Sequence, residues 1–85
     1  MGNSEVKDKI YELLKKHSKL NKEIREDFDI LTDTGLDSVS VMDIVMELED
    51  VIDVMIPIES LSNVRTVGDF ESVVYSVLKN KPNDG

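Results

Sequence analysis

Cysteine is absent from this 85-residue chain. That excludes disulfides and thiolate metal sites, and it leaves the redox compartment unmarked. It also means that any thiol chemistry must come from a group attached later. Long apolar runs are missing as well: no stretch approaches the roughly 20 residues that a membrane-spanning helix needs. The N-terminal MGNSEVKDKI lacks the apolar core of a secretory signal. Val6 stands where a myristoylation signal wants Ser or Thr. These absences lead to the expectation of a soluble, cytoplasmic protein with no membrane insertion. No internal repeat or low-complexity segment is visible.

Positive charge is missing from the middle of the chain. Between Glu26 and Val64 there is no Lys or Arg, yet there are eleven acids: Glu26, Asp27, Asp29, Asp33, Asp37, Asp43, Glu47, Glu49, Asp50, Asp53 and Glu59. The net charge of −8 argues against nucleic acid, whose phosphates would repel the chain. One part of the molecule is therefore an acidic surface, which suits partners that carry a basic patch. The plainer alternative is that the acids only keep the chain soluble.

What is present reads as one small all-α domain over residues 1–80, with the polar end 81–85 frayed. A chain of this length buries only about 60–65% of the surface its unfolded form exposes, so the core is modest. Val6, Ile10, Leu13 and Leu14 share one face of a helix from Ser4, a possible cap, to His17. Lys15, Lys16 and His17 complement its dipole. A long polar connection over residues 19–37 must be held down by its own apolar residues: Leu20, Ile24, Phe28, Ile30 and Leu31. Thr34-Gly35 reads as a turn.

A second helix is predicted from Ser38 to Ile52, with Asp37 as N-cap. Val41, Ile44, Val45, Leu48, Val51 and Ile52 form its apolar stripe. Asp43, Glu47, Glu49, Asp50 and Asp53 fall mostly on other faces, with no Lys or Arg in the helix to pair with them. The acid excess is therefore not explained by helix stabilisation. Met46 is expected to be partly buried and Met42 to lie near the surface beside Ser38. Val54 to Ile58 reads as an extended buried connector, because Pro57 discourages helix at Ile56. Glu59 to Asn63 is one helical turn. Thr66-Val-Gly-Asp69 resembles a capping box at the start of a last helix carrying Val67, Phe70, Val74, Val77 and Leu78. Gly68 weakens that helix slightly. The expected architecture is a small antiparallel helical bundle of three main helices plus one short one.

Ser38, at the mouth of the acidic helix, has three possible roles. A serine nucleophile needs a general base. The one histidine, His17, ends the first helix, and the G-x-S-x-G pattern is absent; no catalytic residue is assigned and no enzyme is expected. Serine is also an ordinary residue at helix starts. Thirdly, Ser38 is suited to be the target of another enzyme, because a helix N-terminus offers free N–H groups and a favourable dipole to a phosphate. Asp27, Asp29 and Asp33 prompt a calcium-site reading, but the glycine and the terminal glutamate of an EF-hand loop are missing, and no metal is assigned.

Gly35-Leu36-Asp37-Ser38-Val39, the acidic helix VMDIVMELED, Ile56-Pro57 and Thr66-Val67 together resemble an acyl carrier protein. The match runs over nearly the whole chain, in order and without insertion between Gly35 and Phe70. The resemblance implies that Ser38 is esterified by 4′-phosphopantetheine, delivered from coenzyme A by a phosphopantetheinyl transferase. The arm's thiol would hold an acyl or aminoacyl group as a thioester for fatty acid, polyketide or related biosynthesis. Partners implied are a loading ligase, synthases or acyltransferases with basic patches. They would meet Asp37, Val39, Met42, Asp43, Glu47 and Glu49. An acyl chain would tuck among Val41, Ile44, Val45, Leu48, Ile56, Leu61, Val64 and Phe70, all of which also serve as ordinary core. A monomer is expected.

The pattern departs from the family in places. Val39 replaces the usual Leu, Val51 stands where an acid is common, Val54-Met55 is more apolar, and Ile58 to Ser62 is less acidic. These differences point to a specialised carrier with its own set of enzymes. The alternative from another class is an unmodified acidic interaction module in which Ser38 is only a helix-terminal serine.

Overall fold

The computed structural model describes residues 3–18 and 23–79. Among them the elements are helix α1 (Asn3–His17), helix α2 (Ser38–Ile52), a short 3-10 helix (Ile58–Leu61) and helix α3 (Val67–Lys79). This is the all-α arrangement of three helices plus one short turn that the periodicity predicts. Leu20 and the tail over 81–85 lie outside the described residues.

Each helix buries the stripe that its spacing dictates. Val6, Ile10, Leu13 and Leu14 of α1 meet Ile44, Val45, Leu48 and Ile52 of α2 and Val67, Phe70 and Val74 of α3 in one apolar cluster. Helix α1 begins at Asn3, so Ser4 sits inside its first turn and is not the cap. Helix α2 is capped by Asp53, whose N–H still donates to the Glu49 carbonyl and whose left-handed backbone (φ 56°) turns the chain out of the helix. Aspartate tolerates that conformation better than most side chains do.

The long connection is held as its sequence requires, with one exception. Ile30 is buried and Ile24 and Phe28 are half-buried, but Leu31 is exposed. Backbone bonds fasten this loop to the start of α3. The Ile30 N–H donates to the Arg65 carbonyl, the Val67 N–H to Phe28 and the Gly68 N–H to Glu26, each at 2.9 Å. Asp29 and Thr66 form an isolated antiparallel bridge there. The Asp29 carboxylate accepts the N–H groups of Leu31 and Thr32, and Asp33 accepts that of Asp29. These acids thus shape the turn itself. Bonds from the Thr32 and Leu31 N–H groups hold the Asp29 carboxyl below its ordinary range.

Two connector expectations are corrected. In Val54 to Ile58 only Ile56 is buried, and Met55 and Ile58 are exposed. An extended chain alternates its side chains, so Met55 points away from the face that buries Ile56, and Ile58 already belongs to the 3-10 turn. The following helical turn spans Ile58–Leu61, starting one residue earlier than predicted because it begins directly after Pro57. The capping box is present at α3. Thr66 Oγ1 accepts the Asp69 N–H at 3.0 Å, and Asp69 Oδ2 accepts the Thr66 N–H at 3.1 Å.

Candidate functional site

The approach to α2 is fixed from below. Thr34 is buried; its hydroxyl donates to the Ile30 carbonyl at 2.6 Å and accepts the Leu36 N–H at 3.2 Å. Gly35 follows at φ 75°, a conformation that glycine adopts without strain. Leu36 is buried, which sets the chain direction into Asp37. Asp37 is extended (φ −113°, ψ 176°), and its side chain accepts the Ser40 N–H at 2.8 Å. The first turn of α2 is thereby satisfied at one donor and still presents its positive dipole end.

Ser38 is the first residue of α2 and is exposed. It stands at the rim of an open groove of about 300 Å³ between α2, the Phe28 to Leu31 loop, the 3-10 turn and α3. Of the eight apolar residues suggested by sequence, Val41, Leu61, Val64 and Phe70 line this groove. Ile44, Val45, Leu48 and Ile56 sit in the closed core instead. They lie on faces of the connector and of α2 that other elements cover. Ile30, Leu31, Met42 and Ile58 complete the apolar lining, and sequence reasoning did not assign them to it. Met42 is half-buried beside Ser38.

The acids of α2 divide into two groups. Glu47 is turned to α1: its carboxylate meets Lys16 Nζ at 2.7 Å and His17 Nε2 at 2.6 Å. The Lys16 bond, followed by that of His17, lowers the Glu47 carboxyl below its ordinary range. Glu49 accepts the Ile56 N–H at 2.7 Å, which ties the connector back to the helix. Both side chains therefore have intramolecular work. Asp43 and Asp50 are exposed. Met46, expected to be partly buried, is 62% exposed, and Val39 is 70% exposed. Val39, Asp43, Met46 and Asp50 are spaced by four, three and four residues, so they form one outward stripe in which apolar and acidic side chains alternate.

Among the described residues no group of three or more His, Cys, Asp or Glu side chains is placed to hold a metal. No described helix is long and apolar enough to cross a membrane.

Comparison with known proteins agrees with this geometry. Residues 8–74 match the family described as phosphopantetheine attachment site. A protein named as a probable acyl carrier protein from Caulobacter vibrioides (strain NA1000 / CB15N) is 40% identical over 52 residues, 61% of this chain and 60% of that protein. An acyl carrier protein of Chlorobium phaeovibrioides (strain DSM 265 / 1930) is 35% identical over 80 residues, 93% of this chain and 100% of the relative. A solved structure assigned as an acyl carrier protein, from Mycobacterium tuberculosis, superimposes with a TM-score of 0.66 at 26% identity, covering 87% of this chain and 95% of that one. Domains of this kind carry covalent 4′-phosphopantetheine and act as carriers, not catalysts. A capped acidic helix with a serine at its head, an apolar groove beside that serine and relatives matched along nearly the whole chain lead to one conclusion: this chain belongs to the acyl carrier protein family.

Proposed function

We propose that Ser38 is the attachment point of 4′-phosphopantetheine and that the chain presents acyl thioesters to biosynthetic enzymes, with residues 1–80 as one carrier domain. The observation that carries this reading is the position of Ser38: exposed, first in α2, and on the rim of the groove. In the loading reaction the Ser38 Oγ–H loses its proton to a base of the transferase. Its oxygen forms a new bond to the phosphorus nearest the pantetheine, and the adenosine bisphosphate half of coenzyme A leaves. The N–H groups of the first turn of α2 stabilise the resulting phosphodiester. The Asp37 carboxylate opposes it modestly, but that carboxylate is already engaged with the Ser40 N–H. When attached, the arm supplies the thiol that this cysteine-free chain lacks and holds an acyl group on it as a thioester.

The surface that partners read is the outward stripe Val39, Asp43, Met46 and Asp50. Apolar Val39 and Met46 give buried contact on docking, and the two aspartates steer toward a basic patch. Asp37 flanks the attachment point, and Met42 lines the groove behind it. Glu47 and Glu49 contribute less, because their carboxylates are satisfied within the chain. The partners consistent with this surface are a phosphopantetheinyl transferase, a loading ligase, and synthases or acyltransferases with cationic docking faces.

The test is incubation of the chain with coenzyme A and a broad-specificity phosphopantetheinyl transferase, followed by intact mass. A gain of one phosphopantetheine that is lost in Ser38→Ala is expected. No gain in the wild type would favour the unmodified interaction module, and a gain that survives Ser38→Ala would move the site elsewhere.

A further inference from the structure

We infer that Lys16 and His17, at the end of α1, mask Glu47 from partner proteins, so that the outward face of α2 offers two separate acids, Asp43 and Asp50, around a neutral centre. This inference rests on the carrier reading of the chain, in which that face is the docking surface. On the helix surface Glu47 neighbours both exposed acids, four residues after Asp43 and three before Asp50. In sequence the three make one continuous anionic row. The fold breaks that row in the middle.

Both oxygens of the Glu47 carboxylate are taken. Lys16 Nζ holds Oε1 at 2.7 Å, and His17 Nε2 meets Oε2 at 2.6 Å. The Glu47 side chain is 36% exposed and that of Lys16 61%, so the pair lies at the surface and borders the docking face. A partner's cation aimed at Glu47 must first displace Lys16, and until it does it faces a like charge. The mask is placed by packing. Leu13 and Leu14 of α1 share one apolar cluster with Ile44 and Leu48 of α2. The Ser18 N–H donates to the Leu14 carbonyl at 2.9 Å, and the Ser18 hydroxyl donates to the Thr34 carbonyl. These contacts hold the last turn of α1 against the middle of α2.

The masked centre specifies the partner. Asp43 and Asp50 are exposed and stand about 10 Å apart along the helix axis. Met46, 62% exposed, lies between them. The complementary surface carries two cations at about that spacing with an apolar contact between them. A basic patch that relies on a third, central cation leaves it opposite Lys16 and is disfavoured. Lys16 and His17 are thus specificity-determining residues that touch no partner acid or arm themselves; they act by withdrawing one anion from the face.

The experiment first loads the chain from coenzyme A with a phosphopantetheinyl transferase and confirms the product by intact mass. The loaded chain is then titrated at low salt with a hexa-arginine peptide, which stands in for a partner's basic patch. The side-chain carboxyl carbon shifts of Asp43, Glu47 and Asp50 are followed by NMR. In the wild type, Asp43 and Asp50 should respond and Glu47 should lag behind both. In Lys16→Ser with His17→Ser, Glu47 should respond as strongly as its neighbours, and Kd should fall up to about fivefold, the worth of one exposed ion pair. Lys15 is exposed on the same turn, so Lys15→Ser removes a lysine charge without unmasking Glu47. It should give less than half of that gain and leave the Glu47 response unchanged. Circular dichroism melts confirm that each variant is folded, and Lys16→Ser alone provides a milder version should the double variant unfold. A wild-type Glu47 that responds as strongly as Asp43, or equal gains from Lys15→Ser and the folded unmasked variant, overturns the inference while leaving the carrier reading intact. A chain that cannot be loaded overturns both.

Discussion

His17, the last residue of α1, and Glu47, in the middle of α2, meet with Nε2 and Oε2 2.6 Å apart, and Lys16 Nζ closes on the other carboxylate oxygen at 2.7 Å. One acid thus joins two helices through residues 30 positions apart in sequence. The lowered Glu47 pKa means that the folded state favours the ionised carboxylate. The stabilisation is therefore present above its ordinary value of 4.5 and is lost as pH falls through the lower folded value. The group is partly solvated, so the effect is small. Glu47→Gln is expected to lower the melting temperature by a few degrees at most near neutral pH. The difference should vanish in acid, as followed by circular dichroism across a pH series. A gap between the two proteins that is constant with pH would remove the ionic role.

Tyr11 and Glu71 form a second pair of helices' worth of contact, between α1 and α3. The Tyr11 hydroxyl donates to Glu71 Oε2 at 2.8 Å, and the Tyr75 hydroxyl reaches the other oxygen at 3.5 Å. Glu71 is buried at 5% exposure. Tyr11→Phe leaves one carboxylate oxygen without its donor and is expected to cost about 1–3 kcal/mol in urea melts. Replacing both partners, Tyr11→Phe with Glu71→Leu, should recover part of that loss, because no buried acceptor is then stranded. Recovery of nothing would place the cost in packing.

The same pair sets an alkaline limit. Burial, followed by the bond to Glu71, pushes the Tyr11 phenol well above its ordinary value of 10.0. A raised acid pKa favours the protonated form in the folded state. Its stabilisation is complete below the unfolded value and declines as pH rises beyond about 10. The wild type should lose more stability than Tyr11→Phe above that point.

The outward stripe of α2 gives a further expectation on the carrier reading. Asp43→Lys should slow association with a cognate synthase, most strongly at low salt, since exposed charges act through a field that salt screens. Met46→Ala should raise Kd about tenfold with little salt dependence, because it removes apolar contact at the centre of the stripe. Stopped-flow binding over a range of ionic strength separates the two, and identical salt slopes for both variants would dissolve the division of labour.

Much of the fold is legible in the sequence. Ser38–Ile52 with its Asp37 cap, and the Thr66 to Asp69 box, are local patterns whose donors and acceptors lie within four residues. The rest depends on distant chain. Periodicity marks Val41, Ile44, Val45 and Leu48 as one apolar face. Only the placement of α1, α3 and the connector divides that face into closed core and open groove. Met46 lies just outside the arc that neighbours cover, so a methionine expected to be partly buried is exposed. Glu47 reads as a free acid in sequence because its basic partners belong to another helix. Gly68 reads as a weakness in α3, yet its N–H bonds the Glu26 carbonyl and a Cβ there would lie a tight 3.3 Å from that oxygen.

The end of α2 has a consequence of its own. Negative groups near a helix's carboxyl end work against its dipole, and this helix has no basic residue in its last turn, with Asp50 and Asp53 exposed there. Its final turns stay wound because Leu48 and Ile52 are seated in the apolar cluster. The Asp53 end of the helix therefore depends on packing alone, whereas the Asp37 end also has a side-chain cap.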